Sequence, residues 1–239
     1  MAVAGDGSVV YVAGEGNSFF GNDAILLKFA ADGTLIWQRD WSVGQNQNES
    51  AALGVAIAPD GSIYMTGRAL IAFNGQFAAL VKFTPGGAVV WENTWGSGLD
   101  AALGVAVAAD GTVYMTGNTG FGSGGGDAFV VTFLPTTGRA TAAMTWGGTG
   151  NESGEAIAVA PDGSSVYLAG VVASAPPYTF TKASHATKAP KATSLITPNG
   201  TVTNAPGAVV GTPSGTVTSV TGSTTFAGQT DAFLLKVLP

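Results

Sequence analysis

Side chains able to do chemistry are few in this sequence and widely scattered. His185 is the single histidine and there is no cysteine, so a Ser-His-Asp triad, a two-histidine zinc site or a His-ligated haem pair has at most one possible centre. Thiolate metal sites, cysteine nucleophiles and disulfides are excluded, while the redox compartment stays open. His185 reads as a solvated loop histidine. Among the acids, Asp100 and Glu152 stand at matching repeat positions just before an apolar strand, and Ser50 takes that place beside Glu49 in a third copy. Such residues are expected near one face of the fold, as an acidic rim for a cation or sugar hydroxyls or simply as solvation for strand ends.

The basic residues make a different pattern. Lys182, His185, Lys188 and Lys191 fall three apart in a Pro-containing stretch, and a polyproline II segment has three residues per turn, so they would share one edge. The formal charge of −6 leaves −9 for the rest of the chain once these three lysines are set aside. The stripe could dock on the acidic body or on an anionic polymer, or be a solvated loop. Candidate ligand-binding residues are therefore Glu49, Asp100, Glu152, Lys182, Lys188 and Lys191. No catalytic residue, metal site or cofactor is expected. Gly122 to Phe129 loosely resembles the nonapeptide of calcium-binding β-rolls, but those sites stack several copies, and one imperfect copy reads as a loop with Asp127 capping the turn into a strand.

The elements that must position these groups come from composition and repetition. The 239 residues include 36 glycines, 46% are hydrophobic and 10% charged, which points to one all-β domain of short apolar strands and tight turns. Nine basic against fifteen acidic residues leave no surface fit for a phosphate backbone, so nucleic acid is excluded as a partner. Met1 runs into Ala2-Val3-Ala4-Gly5-Asp6-Gly7 without a basic and apolar leader, and the charge-free run from Ala192 to Thr230 is rich in Thr, Gly, Ser and Pro. No signal peptide and no membrane span are expected in this chain, which should be soluble.

Laid against itself, the sequence repeats about every fifty residues. GVAIAPDGSIYMTG at 54–67 recurs as GVAVAADGTVYMTG at 104–117, as AIAVAPDGSSVYLAG at 156–170 and as AVAGDGSVVYVAG at 2–14. A second signature follows at Asp23 to Phe29, Ala78 to Phe83, Asp127 to Phe133 and Asp231 to Val237, and a third segment ends at Trp41, Trp95 and Trp146. Each repeat thus predicts four short strands, with Asp-Gly hairpin turns at 6–7, 60–61 and 110–111. That is one blade of a β-propeller. Stacked blades bury both faces, so the inner strands should hold Gly54, Ala56 and Ala58 while Phe83, Trp91 and Trp95 lie further out.

The repeat resembles the SBBP-type prokaryotic β-propeller repeat in its Asp-Ala-Phe, Lys, Gly, Trp and Tyr-x-x-Gly pattern, over residues 1 to about 171 and 225–239. It departs where Ala58, Ala108 and Ala160 stand in place of the Asp that family favours. The resemblance implies an exported or cell-surface prokaryotic protein, usually without a catalytic assignment.

Expected repeats lie near 1–51, 52–101, 102–153 and 154–171 plus 231–239. Residues 172–230 lack tryptophan and hold fourteen threonines. They read either as an insertion in the last blade or as a diverged fifth blade, since Gly7, Gly61, Gly111, Gly163 and Gly215 keep an even spacing while 197–204 recurs at 212–219. The expected fold is all-β, a β-propeller of four to five four-stranded blades with the last one incomplete. Without a Trp-ended strand after Val237, the strand 231–238 should show an open edge, and the chain should either self-associate through it or be a fragment of a longer propeller. The expected function is a non-enzymatic extracellular or cell-surface module for binding a protein or surface polysaccharide, or for scaffolding. A lectin-like propeller, or a fragment of a propeller lyase or quinone-dependent dehydrogenase, are the alternatives.

Overall fold

The computed structural model describes residues 1–18, 21–43, 49–71, 73–120, 125–173, 179–182, 191–196, 202–203 and 231–238, and among them every element is a strand. Four antiparallel sheets form. The first runs β1 (Ala2–Val3), β2 (Val9–Ser18), β3 (Gly21–Ala30), β4 (Leu35–Trp41), and the second β5 (Glu49–Ile57), β6 (Ile63–Ile71), β7 (Gly75–Phe83), β8 (Val89–Trp95), each in chain order. The third contains β9 (Asp100–Val107), β10 (Val113–Thr119), β11 (Asp127–Phe133) and β12 (Ala140–Gly147). The fourth begins with β13 (Glu152–Val159) and β14 (Val166–Val172).

The strands form where the sequence repeats because the turns between them are chemically fixed. At Asp6, Asp60, Asp110 and Asp162 the carboxylate accepts the N–H two residues on, at 2.9–3.0 Å, and the following Gly7, Gly61, Gly111 and Gly163 have φ of 70° to 89°, where a side chain is strained. Small residues stand where neighbouring sheets come close. A methyl on Gly54 would press on Leu103 of the next sheet and one on Gly104 on Ala156 of the sheet after, so β5, β9 and β13 approach too closely there for anything larger. Trp41, Trp95 and Trp146 are buried and lie opposite Ala24, Ala78 and Ala128 in register, so they occupy equivalent places.

Residues of the divergent segment pair with two different sheets. β15 (Thr179–Lys182) adds to the outer edge of β12. β18 (Asp231–Leu238) pairs directly with β14, and β16 (Lys191–Ile196) pairs with the other edge of β18, with β17 (Val202–Thr203) beyond it. One expectation is corrected by this. The described strands make four sheets, and the 231–238 strand is not an open edge, because a backbone ladder needs no tryptophan and β16 of the divergent segment pairs with it.

The sheets stack in sequence order: β2 and β3 against β5, β6 and β7 against β9, β10 and β11 against β13. Three apolar clusters fill the three junctions. Among the described residues no packing of comparable extent brings the fourth sheet back onto the first.

Candidate functional site

The link from one sheet to the next follows the tryptophan at the end of its last strand. At each of the three junctions a polar side chain at or near the start of the next strand accepts backbone N–H groups of that link. In Trp95-Gly96-Ser97-Gly98-Leu99-Asp100 the Asp100 Oδ2 accepts N–H bonds from Ser97, Gly98 and Leu99 at 2.5, 3.0 and 3.3 Å. Glu152 does the same work one repeat on, its Oε2 accepting from Gly148 at 2.7 Å. At the first junction Ser50 Oγ accepts from Val43. Asp100 and Glu152 are 0% and 1% exposed. They lie inside the molecule, holding loops, and not on an open rim.

At the third junction a second carboxyl joins the first. Asp127 opens β11 and is 3% exposed. A methyl placed on Gly147 would collide with both Asp127 Oδ1 and Glu152 Oε2, so the two oxygens meet across that glycine, within the ~4–6 Å at which like charges couple strongly. Asp127 Oδ1 is buried with no hydrogen-bond partner among the described residues. Burial, and then the neighbouring Glu152 charge, push its carboxyl up to about 6. Around the pair, Asn151 Oδ1 accepts the Gly126 N–H at 2.9 Å and the Glu152 N–H donates to the Gly126 carbonyl at 2.6 Å, tying the turn into β11 to the turn into β13.

The other junctions do not repeat this coincidence. Asp23, Phe77 and Asp127 hold equivalent register positions, as do Ser50, Asp100 and Glu152. Of the three corresponding pairs only Asp127 with Glu152 is carboxyl with carboxyl. Chemically, Asp127 so placed keeps its proton up to about pH 6, and its burial puts that change at the sheet junction. Among the described residues no three His, Asp or Glu side chains converge as a metal site.

Glu49 is exposed at the first position of β5, apart from the two buried acids. Lys182 lies on β15, paired with Met144 in the third sheet, and Lys191 on β16, paired with Leu238 in the fourth. The two ends of the expected basic stripe are therefore on strands of different sheets; Lys188 and His185 lie outside the described residues. Asp127 reads from the sequence as the cap of the turn into a strand, and the structure adds its burial beside Glu152, which no single loop announces.

No family model matches the chain, and no curated protein matches it. Among solved structures it is similar to a protein of unknown function from Bacteroides caccae, at 11% identity and a TM-score of 0.45; the match covers 81% of this chain and 63% of that one. Among the described residues no helix is long and apolar enough to cross a membrane.

Proposed function

We propose that the chain is a β-propeller-type module of the extracellular space or cell surface that binds or scaffolds and does not catalyse. The observation that supports this most is the use made of its buried acids. Asp100 and Glu152 are spent on satisfying loop N–H groups that recur from repeat to repeat, and the Asp127 carboxyl is closed off beside Glu152. A catalytic acid or base must reach a substrate proton at hydrogen-bond distance. What is left to vary is the exposed rim of connections, where recognition in repeat scaffolds is carried. The resemblance of the repeat to the SBBP type favours the surface location and a partner that is a protein or polysaccharide.

The test sets binding beside turnover. The purified chain is applied to a glycan array and to a panel of polysaccharide-lyase and quinone-dependent dehydrogenase substrates. Binding without turnover is the expected result, and micromolar recognition of one sugar class would sharpen it to a lectin. Turnover that disappears in both Asp127→Asn and Glu152→Gln proteins, with their melting transitions intact, would overturn the reading. The location is checked by labelling intact cells with a membrane-impermeant biotin reagent; absence of label on the chain would refute it.

A further inference from the structure

Each sheet of this chain has a leading face that packs on the sheet before it and a trailing face that packs on the sheet after it. In the second, third and fourth sheets the leading face is fully buried: Ile63, Met65, Val81 and Phe83, then Val113, Met115, Val131 and Phe133, then Val166, Leu168, Leu235 and Val237, none more than 2% exposed. The register identifies the same positions in the first sheet as Val10, Val12, Leu27 and Phe29. These four are apolar too, yet only half-buried. The trailing face behaves in the same way. Tyr11 and Leu26, Tyr64 and Leu80, Tyr114 and Val130 are buried in the first three sheets, and their counterparts Tyr167 and Leu234 in the fourth are half-buried.

The first and fourth sheets therefore show the two halves of one interface that the chain has already made three times internally. A strand buried on one face only would alternate apolar with polar residues. β2, β3 and β18 do not alternate, which is the pattern of strands covered on both faces. The polar contacts across the junctions repeat as well. Lys28 Nζ donates to the Pro85 carbonyl at 3.2 Å and Lys82 Nζ to the Pro135 carbonyl at 3.0 Å, each lysine lying beside its own sheet's tyrosine, Tyr11 or Tyr64. In the fourth sheet Lys236 lies over Tyr167 in the same way.

We propose that the fourth sheet of one chain stacks on the first sheet of a second copy, head to tail, through the faces carrying Tyr167 and Leu234 on one side and Val10, Val12, Leu27 and Phe29 on the other. A head-to-tail contact either closes a ring or propagates. Two copies bring eight sheets together, within the range of four to eight blades that close around an axis. The ring rests on the propeller reading; the interface rests only on the internal repeat.

Sedimentation velocity of the full chain, from micromolar to submillimolar concentration, should give a species of twice the chain mass. Leu27→Glu and Leu234→Glu each place a charge on one of the two half-buried faces and should weaken association at least about a hundredfold, with circular dichroism melts showing both variants folded. Mixed with each other, the two variants regain one intact interface and should associate, whereas neither does so alone. A wild-type chain that stays monomeric throughout overturns the proposal, as does association indifferent to both variants. Disruption by only one of them would mean a like-on-like contact and overturns it too. Association that follows the head-to-tail rules but grows beyond two copies overturns the ring alone.

Discussion

At the scale of single residues, the carboxyl of Asp127 has the clearest consequence. Its pKa is raised to about 6 in the folded chain from an ordinary 3.8, through burial and then through Glu152. A carboxyl that binds its proton more tightly when folded stabilises the fold fully below its unfolded pKa, and this stabilisation is lost as pH rises through about 6. Asp6, Asp32, Asp60 and Asp162 run the other way: turn hydrogen bonds hold them below 3.8, so they weaken the fold only at lower pH. Thermal melts of the wild-type chain should therefore decline in midpoint between pH 3.8 and about 6. Asp127→Asn, which carries no charge at that place, should flatten the decline and melt higher than wild type at pH 7; parallel slopes in the two proteins would refute the role given to Asp127. Trp95 makes a second case. It is 8% exposed with its ring 4.6 Å from Phe129, and its indole N–H has no partner among the described residues. Trp95→Ala should cost about 3–5 kcal/mol in urea unfolding, but Trp95→Phe only about 1 kcal/mol, since it keeps the ring contact and removes an unsatisfied donor.

At the scale of the element, sheets are fastened to one another by outer-strand side chains that grip the next sheet's turn. Arg39 stacks on Trp37 and donates to the carbonyls of Gly86 and Gly87. One repeat on, Trp91 Nε1 donates to the Pro135 carbonyl and Asn93 to that of Gly138. The turns must be bare where they are gripped. Gly138 has φ of 68°, and a methyl there would come within 2.6 Å of the Trp91 ring. Gly33 has φ of 87° but nothing within 4 Å of such a methyl. Gly33→Ala should cost only the left-handed conformation, about 1–2 kcal/mol, while Gly138→Ala should cost more and shift the tryptophan emission. Equal losses in the two proteins, with unchanged fluorescence, would mean that the Trp91 contact does not fasten the sheets.

At the scale of the whole molecule, burial is uneven. The central strands β6, β7, β10 and β11 belong to sheets packed on both faces, whereas the first and last sheets each keep one face half-buried. Amide exchange should be slowest in those four strands and faster in β2 and β14, because opening free energy follows local packing. Protection of β2 matching that of β10 at micromolar concentration would point instead to a covered first sheet. Much of this could be read from the chain itself. The fifty-residue repeat determined the four consecutive strands of each of the first three sheets, the Asp-Gly turns and the equivalence of Trp41, Trp95 and Trp146, because hairpin chemistry and the spacing of small and large apolar residues are local. The partner of a strand edge is not local. Nothing in 172–230 announces that 191–196 would lie against 231–238, since backbone ladders accept almost any side chain and loop closure over such distances is entropically cheap. Nor does the sequence distinguish Asp100 on a rim from Asp100 buried under its loop, or reveal that Asp127 and Glu152 meet over Gly147. A carboxyl's exposure and neighbours are set by how sheets stack, and stacking joins residues that no single repeat contains.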